Sequence, residues 1–364
     1  MIRLMLAAPA SGSGKTALTC ALLCALSRRG LNPCAFKCGP DYIDPMFHRT
    51  VLGVESHNLD LFLSDESTVR RLAARYEQGH DAAVFEGVMG FYDGGGGMTD
   101  RASAWHLADT LSLPVLLVLR PKGASLTLAA QVKGMLSFRQ PSHLAGILLS
   151  DCSPMLAKSL TPMLEQETGL PVLGGLPHMA EAQFESRHLG LYTAGEIGDL
   201  SERIGKMADE LEKNADLSRL LALCRTQEPD VTPFPAPPEP FARIAVARDE
   251  AFCFCYEETL DALRDAGAEI IFFSPLHDPS LPENVGGLYL PGGYPELYAG
   301  ALSDNVSMRE SIRQAAENGL PTVAECGGFL YLGQQLEDET GQLLPMAGLL
   351  YPYHLRGILR PYLI

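Results

Sequence analysis

The residues best suited to chemistry stand near the N-terminus, in the segment Ala8-Pro-Ala-Ser-Gly-Ser-Gly-Lys-Thr16. An apolar strand-like run precedes this segment and an apolar helical pattern follows it. Glycines let the backbone turn tightly and point several N–H groups at one anion, and the N-terminus of the following helix adds positive charge. In such loops the lysine reaches a terminal phosphate and the threonine hydroxyl holds Mg2+. The pattern predicts a nucleoside triphosphate site formed by Gly12, Ser13, Gly14, Lys15 and Thr16.

The loop departs from the full phosphate-binding pattern at one position. That pattern has a glycine six positions before the lysine, where this chain has Pro9. A Gly-Ser-Gly turn alone is an ordinary turn. Gly-Lys-Thr at a strand-to-helix junction favours phosphate binding.

Acidic residues stand at the ends of two further strand-like runs and just before a glycine-rich loop. Asp41, Tyr42 and Asp44 lie in a proline-bounded turn, Glu86 ends a buried run, and Asp93 precedes four glycines. In parallel sheets such positions meet at the carboxyl ends of the strands, where ligands bind. A nucleotide-bound Mg2+ takes one or two oxygen ligands from the protein. Each acid alone would be a cap or turn residue, but together with the loop they predict a metal–phosphate site in which Thr16 and Glu86 suit the cation.

A cysteine in the second half of the chain stands in a different catalytic context. The segment Ala324-Glu-Cys-Gly-Gly328 places Cys326 between a strand and a helix, the position of a nucleophile elbow. The positive end of the following helix favours the thiolate. An earlier turn contains Gly292 and Gly293, whose N–H groups are suited to an oxyanion hole. A lone cysteine is usually buried packing, whereas this context predicts a nucleophile.

Composition excludes several classes of protein. The net charge of -16 argues against nucleic acid or an anionic membrane as partner. No apolar run approaches the ~20 residues of a membrane span, and a signal peptide is not expected, so a cytoplasmic protein is predicted. The other cysteines are interpreted as buried thiols of a reducing compartment.

Strand-like and helical stretches alternate along the whole chain, which predicts an α/β fold with parallel, doubly wound sheets. The segment 228–240 contains six prolines and is predicted to be a stiff linker. We therefore expect a first domain over residues 1–227, the linker, and a second domain over residues 241–364.

Taken in order, the glycine loop, Gly39-Pro-Asp41, Glu86-Gly-Val-Met-Gly-Phe-Tyr-Asp-Gly94, Arg187-His-Leu-Gly-Leu191 and Glu325-Cys-Gly-Gly328 resemble the cobyrinic acid a,c-diamide synthase family, also called the hydrogenobyrinic acid a,c-diamide synthase family. The resemblance implies a P-loop NTPase-like first domain similar to dethiobiotin synthetase and a class I glutamine amidotransferase-like second domain. It implies ATP-dependent amidation of two acetate carboxylates of a corrinoid through acyl phosphates, with Mg2+ and with glutamine or ammonia as nitrogen donor.

The resemblance also implies roles for individual residues. The resemblance makes Asp44, Glu86 and Asp93 the catalytic acids of the first domain, with Glu86 as the first choice of Mg2+ ligand. For Asp44 and Asp93 three roles stay open: holding the metal, orienting the substrate or assisting the attack of ammonia. Cys326 is the nucleophile of the second domain. A polyanionic corrinoid needs local cations, and the candidates are Lys37, Arg101 and Arg187. Asp41 and Tyr42 are further candidates for substrate binding. The oligomeric state is left open, a homodimer among the options.

The chain departs from this family near its C-terminus. The family pairs the cysteine with a histidine in a Gly-His-Glu-Phe-His-like segment, and beyond Cys326 this sequence has only His354. We therefore expect an incomplete second domain, a doubtful glutaminase and free ammonia as an alternative donor. Two other interpretations remain: amidation of another tetrapyrrole such as nickel-sirohydrochlorin, and a truncated nucleotide-binding copy without full activity.

Overall fold

The computed structural model describes residues 1–179, 194–227 and 232–350. The chain forms two compact units, Met1–Phe234 and Pro235–Ile364. The predicted linker starts before and ends after this division, and part of it lies outside the described residues. Its stiffness stays a prediction.

The first unit is built on parallel strands that alternate with helices. Its described strands are β1 (Ile2–Ala7), β2 (Pro33–Cys38), β3 (Glu55–Leu59), β4 (Ala82–Glu86), β5 (Val115–Leu119), β6 (Leu144–Ser150) and β7 (Val172–Leu176). Its described α-helices are α1 (Lys15–Arg28), α2 (Ile43–Phe47), α3 (Glu66–Glu77), α4 (Ala104–Leu111), α5 (Leu126–Phe138), α6 (Pro154–Thr168), α7 (Ala194–Asn214) and α8 (Leu217–Leu223). The strands form one sheet in the order β3-β2-β4-β1-β5-β6-β7.

The apolar run of β1 shows why this sheet forms. Met5 and Ala7 pack into the hydrophobic layer on one face of the sheet, whereas Leu4 and Leu6 pack into the layer on the other. Every residue of β1 is buried, because a parallel strand covered by helices on both faces has no solvent side. β1 pairs with β4 on one side and β5 on the other, so its carboxyl end lies at the centre of the sheet edge where ligands bind.

The second unit repeats the alternation on a smaller scale. Its described elements are β8 (Ala242–Ala247), α9 (Glu257–Asp265), β9 (Ala268–Phe273), β10 (Gly287–Leu290), α10 (Ala299–Asp304), α11 (Val306–Glu317), β11 (Thr322–Ala324), α12 (Gly327–Tyr331), β12 (Gln335–Glu337) and β13 (Leu343–Pro345). Four strands form a parallel sheet in the order β11-β10-β8-β9, and β12 pairs antiparallel with β13.

These sheets confirm the predicted α/β class with two parallel-sheet domains. Three of the described strands, β3, β12 and β13, were not predicted. The sequence of β3, Glu-Ser-His-Asn-Leu, lacks an apolar run, yet its last four residues are buried. Their polar groups find partners in the folded chain: His57 stacks on Tyr76 at 3.6 Å between ring centroids, and Ser56 hydrogen-bonds His48. In the described part of the chain, every helix is too short or too polar to span a membrane.

Candidate functional site

The segment between β1 and α1 is a tight glycine turn. Gly12 and Gly14 have φ values of +73° and +91°, in the left-handed region that favours glycine. The Ser13 hydroxyl donates to the Ala10 carbonyl at 2.8 Å and holds the turn closed. A Cβ on Gly14 would lie 2.1 Å from the Ser150 hydroxyl at the end of β6, so backbone angle and space both require glycine there.

Lys15, the first residue of α1, lies across the mouth of this turn. Its ammonium donates to the Met89 carbonyl at 2.7 Å and to the Ala10 carbonyl at 3.4 Å. Burial lowers the pKa of Lys15, although the nearby Glu86 carboxylate opposes the shift. A phosphate group placed in the turn would offer this ammonium a stronger, charged partner than two carbonyls.

Glu86 is the buried centre of the site. It ends β4 with only 1% of its surface exposed, and its Oε1 accepts from the Thr16 hydroxyl at 2.7 Å and from Lys37 Nζ at 2.8 Å. Burial alone would raise the pKa of Glu86, but the Lys37 charge outweighs it and holds the pKa below its usual range. The second carboxylate oxygen is buried and has no hydrogen-bond partner among the described residues.

That free oxygen beside a threonine hydroxyl suits a hard cation. Mg2+ binds through one or two carboxylates plus phosphate and water oxygens rather than in an all-protein cage. In agreement, no three His, Cys, Asp or Glu side chains of the described residues come together as a metal cage. Glu86 and Thr16 therefore fit a nucleotide-bound Mg2+.

Lys37 lies at the end of β2 and is a buried counter-ion rather than an open surface cation. It pairs with Glu86 and Asp44, and its Nζ is 3.7 Å from Asp41 Oδ2. Burial would lower the pKa of Lys37, but these carboxylates together raise it well above its usual range. Its role as a substrate ligand stays a prediction, and the structure adds the role of neutralising the acids.

Asp44 is held in this cluster by the turn before α2. Asp41 Oδ1 accepts from the backbone N–H groups of Ile43 and Asp44, at 2.8 and 3.1 Å, so Asp41 positions the turn. Tyr42 stands at the N-cap of α2 in the same turn. Burial and the Glu86 charge raise the pKa of Asp44 to about 7, despite its pairing with Lys37.

Asp93 lies in the segment that follows β4. Its Oδ2 accepts from the Gly90 N–H at 3.0 Å, and the neighbouring Phe91 N–H donates to the Ala8 carbonyl at 2.8 Å. These bonds hold the segment against the phosphate loop. Asp93 itself is exposed at the edge of the site, apart from the buried pair of Asp44 and Glu86.

The second unit contains a strained turn at Cys326. This exposed cysteine has φ +46° and ψ −112° between β11 and α12, the conformation expected of a nucleophile elbow. Gly328 packs so closely that a Cβ on it would lie 2.1 Å from the Leu290 carbonyl.

The turn after β10 faces the cysteine. A Cβ on Gly292 would lie 3.3 Å from Cys326 Cβ and 3.7 Å from its Sγ. Gly293 is packed on the other side, where a Cβ would lie 2.0 Å from the Ala251 carbonyl. The structure thus brings Gly292 and Cys326 together as the sequence predicts. Arg187 and His354, also named from the sequence, lie outside the described residues.

Comparison with known proteins assigns both units. Residues 4–191 match the CobQ/CobB/MinD/ParA nucleotide binding domain, and residues 243–354 match the CobB/CobQ-like glutamine amidotransferase domain. The chain is 38% identical to a cobyrinate a,c-diamide synthase of Dehalococcoides mccartyi, over 96% of this chain and 77% of that protein. It is 41% identical to a hydrogenobyrinate a,c-diamide synthase of Brucella anthropi, over 95% of this chain and 80% of that protein. The chain belongs to the cobyrinate/hydrogenobyrinate a,c-diamide synthase family.

One solved structure that resembles this chain shares less sequence with it than these two synthases do. The signal recognition particle 54 kDa protein of Aeropyrum pernix K1 in complex with GDP is 17% identical, with a TM-score of 0.37 over 58% of this chain and 51% of that one.

Two side chains fix the turns of this synthase-family site, and one of them, Asn58, escaped the sequence analysis. Asn58, at the end of β3, donates to the carbonyls of Gly39 and Asp41 at 3.0 and 2.6 Å and so fixes the acidic turn. Asp249 accepts from the N–H groups of Ala251 and Phe252 and from the Ser274 hydroxyl, and so shapes the segment behind Gly293. The strand-end position of Asn58 was the available signal, but its strand was not predicted.

Proposed function

We propose that this chain amidates the a and c acetate carboxylates of cobyrinate or hydrogenobyrinate, using ATP and an ammonia equivalent from glutamine or from free ammonium. One observation carries the proposal beyond family membership. Glu86 is buried beneath the phosphate loop, 2.7 Å from the Thr16 hydroxyl, with one oxygen left for a cation.

The first step activates a poor electrophile. An acetate oxygen of the substrate attacks the γ-phosphorus of ATP, the bond from that phosphorus to the β–γ bridging oxygen breaks, and ADP leaves with the bond electrons. Lys15 and the N-terminus of α1 stabilise the charge on the transferring group. Thr16 and Glu86 would hold Mg2+, which neutralises phosphate charge when bound.

The second step forms the amide. Ammonia attacks the acyl carbon of the acyl phosphate, phosphate leaves, and the nitrogen must lose a proton. Asp44 is suited to accept it, because burial and the Glu86 charge raise its pKa to about 7, near the working pH of a general base. Asp93, at the exposed edge of the site, orients the entering group.

The second unit supplies the nitrogen in this proposal. The Cys326 thiolate attacks the amide carbon of glutamine, and the amide nitrogen leaves as ammonia after taking up a proton. Backbone N–H groups of the turn at Gly292 and Gly293 stabilise the oxyanion that forms on the way.

The test is ATP hydrolysis that depends on cobyrinate or hydrogenobyrinate with ammonium as donor, with the amides counted by mass spectrometry. Glu86→Gln keeps the shape but removes the charge, so we expect kcat/KM to fall by about 100-fold or more. The matched control is Glu202→Gln, which changes an exposed carboxylate on α7 that pairs with Lys206 at 2.8 Å. Wild-type turnover by Glu86→Gln would refute the assigned site.

A further inference from the structure

Three large apolar side chains are exposed beside the acidic site. Phe62, Leu63 and Met98 are 73%, 67% and 94% exposed. Exposed apolar side chains that lie close together mark an interaction site more often than singly scattered ones do.

The turn that carries two of them is well fixed. It directly follows β3, where the Asp60 side chain accepts from the Phe62 N–H at 2.7 Å and the Asp60 carbonyl accepts from the Ser64 N–H at 3.0 Å. Leu61 is buried in the core, so the turn holds one apolar side chain inward and presents the next two outward. Their exposure is therefore built into the turn.

Met98 is presented by a second fixed segment, the loop after β4. The N–H groups of Gly94 and Gly95 donate to the carbonyls of Thr99 and Arg101 at 2.8 and 3.0 Å. Asp100 in the same loop pairs with Arg139 at 2.5 Å. These contacts close the loop and leave Met98 at its tip.

The two segments lie side by side. His106, on α4 just after the loop, has its Nε2 3.4 Å from Glu66 Oε1, at the start of α3 just after the turn. His106 Nδ1 accepts from the Ala102 N–H at 3.0 Å, so Nε2 carries the hydrogen and donates to Glu66. Because β3 and β4 flank β2, the exposed apolar residues border the β2 turn that holds Asp41 and Asp44.

An exposed cation, Arg101, lies in the same loop as Met98. Arg101 is exposed, and its guanidinium has no ion pair or hydrogen bond among residues 1–179, 194–227 and 232–350. An open cation next to apolar side chains matches a ligand with an apolar face and an anionic rim. A tetrapyrrole polycarboxylate has that chemistry, since its conjugated ring is flat and apolar and its carboxylates project from the edge.

We propose that Phe62, Leu63 and Met98 form the surface on which the tetrapyrrole ring lies, with Arg101 binding a rim carboxylate. This inference rests on the proposed function and names the part of the same site that recognises the substrate. The ring seated there directs an acetate arm toward Asp44 and Glu86. These four side chains share neither a residue type nor a continuous segment of the sequence. The parallel sheet brings the two segments that carry them to the same edge.

The experiment measures cobyrinic acid binding by visible absorbance, separately from turnover. We expect the double variant Phe62→Ser/Leu63→Ser to raise the Kd for cobyrinic acid about tenfold or more. In the wild type both large apolar side chains leave water when the ring binds, and the variant loses this burial. Met98→Ser should act in the same direction. Arg101→Gln should weaken binding most at low salt, and Arg101→Lys should restore part of it. The KM for ATP should not change in any of these variants.

The matched control is Leu223→Ser, an exposed leucine in the same unit at the end of α8, near the start of β1 at the opposite edge of the sheet. Wild-type affinity in the Phe62/Leu63 double variant would overturn the inference while the synthase proposal stands. Binding without ATP-dependent amidation would refute the synthase function and leave the surface. A wild-type protein that binds no tetrapyrrole would refute both.

Discussion

Lys37→Met is the most informative perturbation of this protein. It removes a cation that pairs with both Glu86 and Asp44, while keeping a long apolar side chain of similar size. If Lys37 were chiefly an open cation for the substrate, the loss would weaken substrate binding and leave stability intact. If it is the buried counter-ion described above, folding itself suffers.

The structure sets the expected magnitude. The side chains of Lys37 and Glu86 are 7% and 1% exposed, and the pair is 2.8 Å apart. Removing one partner of such a buried pair costs about 3–5 kcal/mol, because the remaining charge is left without compensation. That is a large share of a typical unfolding free energy of about 5–15 kcal/mol.

The loss should depend on pH in a defined direction. In the wild type Lys37 holds the pKa of Glu86 below its usual range, so this carboxylate contributes stability that is lost as pH falls through its folded pKa. Without Lys37 the pKa values of Glu86 and Asp44 rise, and the variant takes up protons on folding. Its deficit should therefore be greatest near pH 8 and smaller near pH 5.

Urea unfolding followed by tryptophan fluorescence measures the free energy of unfolding of the first unit. The chain has one tryptophan, Trp105, and it lies on α4 of that unit. The control is Lys133→Met, which breaks an exposed pair with Glu167 at 2.5 Å and should cost no more than about 1 kcal/mol. A Lys37→Met loss as small as the control's, or one independent of pH, would refute the buried counter-ion.

Three further outcomes are expected. Gly14→Ala should weaken ATP binding at least about tenfold, because φ is +91° and the new Cβ would lie 2.1 Å from the Ser150 hydroxyl; an unchanged Kd for a fluorescent ATP analogue would contradict this. Cys326→Ser should abolish glutamine-supported amidation and spare ammonium-supported amidation, and equal losses in the two assays would argue against separate donor chemistry. Burial lowers the pKa of His48 from 6.5 to about 4, so the wild type should lose about 3 kcal/mol of stability as pH falls through that window. His48→Gln should flatten this dependence in urea titrations, and an equally steep profile in the variant would count against it.

Much of the first unit could be predicted because its strands are continuous apolar runs. The apolar run before the glycine loop is β1, and the helical pattern after the loop is α1. β3 could not be predicted, because its burial depends on partners brought by other elements. His57 is stacked against Tyr76 of α3, and the sequence around His57 does not indicate this contact.

The chemistry divides in a similar way between sequence and fold. Residue types and spacing alone determined that Lys15 and Thr16 follow a glycine turn, that Glu86 ends a buried strand and that Cys326 stands at an elbow, because backbone angles and strand ends are local properties. Only the tertiary structure decided that Lys37 neutralises Glu86, since two strands distant in sequence had to lie side by side. Charge compensation acts over a few ångströms of space, and the parallel order of the sheet, not separation along the chain, sets those distances.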